Sequence, residues 1–254
     1  MNLNDQVVLV TGGSRGLGAA IAQAFAREGA RVVINYFSSE DKAKEVVEKI
    51  GNDRAIAIKA DIRELSEVED MVERAKGHFG TSISTVVNNA LVNFKFDAVN
   101  RKDVDTITWE DYQEQLEGSV KGSLHTVKTC KAAMIAMNFG RIINIGTNLF
   151  QNPVVAYHEY NTSKAALLGF TRNIARELGV HNITANMVSG GLLQKTDASS
   201  ATPDEVFSII KDNTPLQKVT TPEEVADAVL FFASPWSRAV TGQNLVVDGG
   251  LVMD

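Results

Sequence analysis

The stretch Val7 to Gly18, VVLVTGGSRGLG, most constrains what this chain can fold into. Val7 to Val10 is a short β-branched apolar run, the pattern of a strand covered on both faces. From Thr11 to Gly18 the side chains thin out to glycine, and Leu17, Ala19, Ile21, Ala22 and Ala24 to Ala26 then resume at helical spacing. Such a turn gathers backbone N–H groups and the positive end of a helix dipole at one point, where a pyrophosphate fits. A glycine turn alone is a weak signal, and its place after a strand and before a helix is what strengthens it.

The rest of the chain alternates in the same way. Arg31 to Tyr36, Ala55 to Lys59, Ser84 to Asn88, Arg141 to Thr147, Ile183 to Val188 and Gln243 to Val247 read as the second to seventh strands. Between them the sequence predicts a helix capped by Ser38 and Ser39 and running through Ile50. The next opens on a Ser66 and Glu69 capping box, with Val68, Met71, Val72, Ala75 and Phe79 as its apolar stripe. Trp109 to Asn138 reads as one long helix bent near Gly118 and Gly122, and Tyr157 to Leu178 as another. Thr202-Pro203-Asp204-Glu205 and Thr221-Pro222-Glu223-Glu224 are twin helix starts, each with Thr at the cap and Pro in the first turn. Leu91 to Thr108 is a long loop, of the kind that carries function. Alternating strands and helices imply a single α/β domain over residues 1–254, a doubly wound parallel sheet with helices on both faces. Ligands of such sheets bind at the carboxyl ends of the strands, where Thr11 to Gly18, Asp61, Asn88, Thr147 and Ser189 to Gly191 fall.

Composition excludes several function classes. Among 254 residues the formal net charge is -6, and no Lys/Arg run offers a stripe for a phosphate backbone, so nucleic acid is not an expected partner. A lone cysteine, Cys130, rules out an intramolecular disulfide and fits a reducing compartment. The N-terminal apolar run is too short for a signal peptide or a membrane span, so a cytoplasmic protein with no membrane partner is expected. His78, His125, His158 and His181 stand far apart with no ligand spacing, and no metal site is expected.

Tyr160 and Lys164, in YNTSK, lie at i and i+4 and so share one helix face. A free phenol titrates near 10, and a nearby ammonium favours phenolate, which makes Tyr160 a candidate proton donor to a carbonyl oxygen. Taken alone, such a pair is more often a solvated helix pair. Thr147, ending the fifth strand beside the start of that helix, adds a hydroxyl.

With TGGSRGLG, Asp61-Ile62, Asn88-Asn89-Ala90, YNTSK and the tail TGQNLVVDGG in this order, the chain resembles the short-chain dehydrogenase/reductase family along nearly its whole length. The resemblance implies a Rossmann-like sheet of seven parallel strands and hydride transfer between a nicotinamide and a carbonyl or alcohol. It implies Tyr160 as proton donor, Lys164 holding the nicotinamide ribose, and Thr147 where the family usually has a substrate-orienting Ser. It places Gly12, Ser14, Arg15, Gly16, Leu17, Gly18, Tyr36, Ser38, Asp61, Ile62, Asn88, Ala90 and Gly190 along the cofactor, Asp61 at the adenine, and Thr196 near the nicotinamide amide. Ser119 stands where the family usually has the Asn of a water relay behind the Lys. Gly190 to Pro215 would form a lid.

The end of the second strand, where NAD-users place an acid, holds Tyr36 followed by Phe37 and Ser38, and Arg15 adds a cation nearby; NADP(H) is therefore favoured over NAD(H). Within the family the strand GRIINIGT and the tail are most similar to 3-oxoacyl-thioester reductases of fatty-acid synthesis. The helix before that strand ends in the uncharged MIAMNF, where those proteins tend to be basic for docking an acyl carrier protein, so a carrier-bound substrate, a free ketone and a sugar-like alcohol all stay open. Two alternatives remain: an enoyl-thioester reductase using Tyr157, seven before Lys164, and a non-catalytic dinucleotide-binding protein. Relatives usually form homotetramers, and the apolar LVVDGGLVM tail suits burial in a tetramer or dimer contact.

Overall fold

The computed structural model describes residues 1–194, 196, 199–200 and 202–253. The strands are β1 (Val7–Val10), β2 (Arg31–Tyr36), β3 (Ala55–Lys59), β4 (Thr85–Asn88), β5 (Gly140–Thr147), β6 (Ile183–Gly190) and β7 (Asn244–Val247). All pair in parallel, in the order β3-β2-β1-β4-β5-β6-β7. The winding reverses between β1 and β4, which puts the ligand crevice of this architecture over Val10 and Asn88.

Helices α1 (Gly16–Arg27), α2 (Glu40–Ile50) and α8 (Pro222–Ala233) bury one face of the sheet, where Val8, Ile34, Val87 and Ile143 meet Ile21, Phe25, Val46 and Val229. On the other face Leu9, Val33, Val86 and Ile142 meet α3 (Leu65–Phe79), α5 (Gly122–Ala136) and α6 (His158–Leu178) through Val68, Met71, Cys130, Met134 and Leu178. Strands covered on both faces must read as continuous apolar runs, which is why VVLV and RVVINY carry no alternation.

The predicted long helix is α4 (Trp109–Leu116) running into α5 through a π-helical turn, Glu117–Lys121, which contains Gly118 and ends against Gly122. Thr108 and Asp111 form a capping box that opens α4. At Thr221 and Glu224 the expected box is present, with Pro222 in the first turn of α8.

Three cap readings are corrected. Ser39 occupies the N-cap of α2 without a side-chain cap bond, Ser38 precedes it, and the acidic first turn, Glu40 and Asp41, faces the dipole instead. Helix α3 begins at Leu65 behind Glu64, so Ser66 and Glu69 lie inside it and form no box. The carboxylate of Glu67 turns back to accept the Asp61 N–H at 2.7 Å, which fixes the β3–α3 connection that a cap would otherwise set. Helix α7 (Asp204–Asn213) starts after Pro203, and the Thr202 hydroxyl, instead of capping it, donates to the Phe96 carbonyl at 3.4 Å.

No helix among the described residues is long and apolar enough to cross a membrane, and among them no group of three or more His, Cys, Asp or Glu could hold a metal ion. Cys130 is buried, and burial pushes its thiol up to about 12, so it is inert at neutral pH.

Candidate active site

The glycine turn is held from both sides. Asn35 of β2 accepts the Gly12 N–H on its side chain at 3.2 Å and the Gly13 N–H on its carbonyl at 2.9 Å. Asn89 donates to the Thr11 carbonyl at 2.9 Å and the Gly12 carbonyl at 3.2 Å, while the Thr11 hydroxyl accepts from Asn89 N and Ala90 N. Packing is so close that a Cβ on Gly18 would sit 2.2 Å from the Gly12 carbonyl oxygen, and one on Gly12, at φ +61°, 2.9 Å from the Ala90 Cα. Gly16 differs: the nearest atom to its Cβ position is the Thr196 Cβ at 3.6 Å, so the turn opens towards the segment containing Thr196. The N-cap of α1 is Arg15, whose side chain makes no cap bond, and helix-start N–H groups have no partner inside the helix. This turn fits a dinucleotide pyrophosphate: a backbone cradle, an uncapped dipole and no carboxylate in it. Ser14 is buried, Leu17 half-buried, and Arg15 exposed beside them.

Across the crevice, Thr147, Tyr160 and Lys164 converge at the end of β5. All are buried, at 4, 6 and 3 % exposure. The Thr147 hydroxyl lies near enough to the Tyr160 phenol to pull its pKa down. Lys164 Nζ lies 5.8 Å from the Tyr160 ring centroid and donates to the Ile145 carbonyl at 2.8 Å. The expectation that the ammonium makes the phenol acidic is corrected in one respect. Burial dominates and pushes Tyr160 up to about 12, the Thr147 hydroxyl exerting a smaller opposing pull. Burial likewise lowers Lys164 to about 8. The phenol is therefore fully protonated at neutral pH, the form a proton donor requires, and Lys164 is directed at a backbone carbonyl.

Behind them, Asn88 is part of a buried polar chain. Thr126 Oγ1 donates to Asn88 Oδ1, Asn88 Nδ2 to Asn144 Oδ1, and Asn144 Nδ2 to Thr171 Oγ1, each at 2.8 Å. It ties α5, β4, β5 and α6 together directly beneath the site. Ser119 sits in the π-helical turn, 3.4 Å from Ser163 Oγ, and its carbonyl accepts from Ser123 Oγ at 2.6 Å. Thr11, Asn88, Ala90, Gly118, Ser119 and Lys164 line one narrow cleft. Asn144, Thr171 and Asn35 were not singled out as site-forming; their signal was polar residues inside apolar strand and helix patterns, which demand buried partners.

At the adenosine end, Tyr36 is buried while Phe37 and Ser38 are exposed. Asp61 is gripped by Arg63, Nε to Oδ1 at 3.0 Å and Nη2 to Oδ2 at 2.7 Å, which holds the carboxyl below its usual range. Ile62 is buried beside it. At the other end, Gly190 closes β6 and Thr196 binds Ser199 through N–H to Oγ at 3.0 Å. Part of the expected lid, residues 195, 197–198 and 201, lies outside the described residues. The tail folds its Asp248 inward, where it accepts from Asn148 Nδ2 at 2.9 Å and from the N–H groups of Gly250, Leu251 and Val252, so it braces the residue next to Thr147.

Residues 12–252 match a protein-family model described as enoyl-(acyl carrier protein) reductase. The chain is 34 % identical over 256 residues to a 3-oxoacyl-[acyl-carrier-protein] reductase of Synechocystis, covering 99 % of this chain and 98 % of that protein. It is 31 % identical over 254 residues to the Escherichia coli protein of the same description, covering all of both. Among solved structures, a blue fluorescent protein from a metagenomic library in complex with NADPH superposes with a TM-score of 0.86 at 34 % identity, covering all of both chains. A mutant of a Serratia marcescens short-chain dehydrogenase/reductase does so with a TM-score of 0.86 at 31 % identity over 99 % of each.

Proposed function

Because the chain belongs to the short-chain dehydrogenase/reductase family, we propose that it reduces a ketone to an alcohol with NADPH, the substrate being a 3-oxoacyl thioester or a ketone of similar shape. The observation that carries this reading is the buried grouping of Thr147 and Tyr160 beside Lys164, at the strand ends next to an open glycine turn.

In this reading the glycine turn from Gly12 to Gly18 and the start of α1 hold the pyrophosphate, and Ser14 and Leu17 line it. Arg15 and Ser38 meet the 2'-phosphate, Tyr36, Asp61 and Ile62 flank the adenosine, and Asn88, Ala90, Gly190 and Thr196 line the nicotinamide end. The bound nicotinamide supplies the hydride. Thr147 orients the carbonyl oxygen, and Tyr160 Oη gives it a proton as that oxygen gains negative charge. A phenol at about 12 is reluctant to ionise in the closed site, so the positive charges of Lys164 and of an oxidised nicotinamide ring are needed to stabilise the phenolate left behind. Ser119, with its hydroxyl contact to Ser163, stands in the relay position behind Lys164. Residues 190–215 act as lid over a single domain spanning 1–254. Cytoplasmic location, a homotetramer or homodimer built on the long helices and tail, and an acyl carrier protein as donor of a thioester substrate complete the proposal.

The relatives' description as 3-oxoacyl reductases supports carbonyl reduction over the enoyl and non-catalytic readings. Tyr157 stands at the N-cap of α6 with its ring against Phe94 and Phe96, whereas Tyr160 is the tyrosine that has Thr147 and Lys164 beside it. The test is Tyr160→Phe, followed by NADPH oxidation with a 3-oxo ester and by NADPH binding from nicotinamide fluorescence. Turnover should fall by about 100-fold or more, the scale of general acid catalysis, while binding persists. A variant with near-normal turnover would transfer the proton donor to Tyr157.

A further inference from the structure

The loop between β4 and α4 lays two phenylalanines on the proton donor. Phe94 stacks on the Tyr160 ring, centroids 4.7 Å apart and planes 15° from parallel. Phe96 meets Tyr160 edge-on at 5.2 Å and 87°, and Tyr157 meets Phe94 edge-on at 5.4 Å and 84°. The four rings thus form a box in which the Phe94 ring is the filling, with the Tyr160 face on one side and the edges of Phe96 and Tyr157 around it.

The base of the loop is anchored. Gln115 Nε2 donates to the Val92 carbonyl at 2.8 Å, and Asn93 Nδ2 to Glu114 Oε1 at 2.7 Å. Asn93 has φ +44°, a left-handed turn at the residue before Phe94 that redirects the chain there. Beyond it, Phe94 and Phe96 are only half-buried, and the tip is joined to the segment before α7 through the bond from Thr202 to the Phe96 carbonyl.

Tyr160 is only 6 % exposed under this cover. The Phe94 and Phe96 rings supply part of that cover. We propose that Phe94 is an internal surrogate for the substrate, and that the box of Tyr160, Phe96 and Tyr157 is a subsite for a flat six-membered ring carried next to the carbonyl, as in an aryl 3-oxo ester. This rests on the carbonyl-reductase reading and narrows its substrate class. A ring that displaces Phe94 regains the stacked and edge-on contacts; a flexible alkyl chain of equal carbon count regains burial alone. Aromatic pairs contribute enough beyond burial to favour the ring by about 2- to 10-fold per contact.

The experiment compares ethyl benzoylacetate with ethyl 3-oxononanoate, whose hexyl chain has as many carbons as the phenyl ring, in the wild type and in Phe94→Ala, Phe94→Leu and Phe96→Leu. In the wild type the KM of the aryl ester should be the lower. Removing the tethered competitor, in Phe94→Ala or Phe94→Leu, should lower KM for both esters by about 2- to 10-fold. Phe96→Leu should raise KM for the aryl ester and shrink the aryl preference by a similar factor. Equal KM values for the two esters in the wild type, unchanged KM in both Phe94 variants, or equal effects of Phe96→Leu on both esters would each overturn the subsite. Calorimetric binding of the product alcohol, ethyl 3-hydroxy-3-phenylpropanoate, reads the same box without turnover. If NADPH binds but neither ester is reduced, the reductase reading fails. The subsite is then judged by whether Phe94→Ala tightens the alcohol and Phe96→Leu weakens it.

Discussion

Replacing Asn144 by Ala tests whether the buried amide chain is what holds the site's two halves together. Asn144 is wholly buried on β5, its residue pair across to β4 is Asn88, and its side chain makes two hydrogen bonds at 2.8 Å. The two ends of the chain stay satisfied in the variant. The Thr171 hydroxyl keeps the Leu167 carbonyl at 2.7 Å, and Asn88 Oδ1 keeps the Thr126 hydroxyl. What is orphaned is the Asn88 amide N–H₂, a buried donor with no other partner among the described residues, at a cost of about 1–3 kcal/mol. The void left, a few tens of Å³ at about 24 cal/mol per Å³, adds roughly 1 kcal/mol. The sum, about 3 kcal/mol, corresponds to a fall in Tm of about 6–12 °C for a chain of this size. Urea unfolding followed by tryptophan fluorescence and far-UV circular dichroism measures it. Because the orphan disappears when Asn88 goes too, the Asn88→Ala/Asn144→Ala double variant should lose less than the sum of the singles, by about 1–2 kcal/mol. A single-variant loss under about 1 kcal/mol, or strict additivity, would refute the account of a connected chain.

Further outcomes follow from the same geometry. Gly18→Ala drives a Cβ to 2.2 Å from a backbone oxygen that cannot swing away, so NADPH affinity by fluorescence titration should fall at least about 10-fold; unchanged affinity would remove the glycine turn from the cofactor site. Gly77→Ala, in α3 with nothing within 4 Å, should instead stabilise by about 0.5–1 kcal/mol in urea unfolding, as helix propensity alone dictates. Arg15→Ala should weaken NADPH by about 10-fold or more and NADH far less, the scale of a lost charge-assisted bond; equal losses would count against a 2'-phosphate contact. Asp61 is depressed by Arg63, so its contribution is complete above the unfolded carboxylate value of about 4 and fades as pH falls through its lower folded value. The gap in urea midpoint between wild type and Asp61→Asn should therefore be widest near pH 6 and narrow below about pH 4, and a gap independent of pH would dissociate Asp61 from that pair.

The backbone plan was legible in the sequence because each strand of a sheet covered on both faces must be an apolar run, and each is separated from the next by a helical stripe. The strands from VVLV to NLVV fall within a residue or two of where the pattern puts them. Caps were less legible. Thr221 and Ser66 carry the same signature, an acid three residues on, yet only Thr221 caps, because the chain leaving β3 at Asp61 is fixed by Glu67 and starts its helix at Leu65. The juxtaposition of Thr147 with Tyr160 follows from strand order, since β5 feeds the helix that bears the tyrosine, and so could be inferred before any coordinates. The protonation of Tyr160 could not. Spacing reports that an ammonium is one turn away, but not that its nitrogen donates to the Ile145 carbonyl, nor that Phe94 and Phe96 pack on the ring of the phenol. Both facts arise from contacts between separate segments of the chain, and the burial of Tyr160, to which those rings contribute, is what raises its pKa.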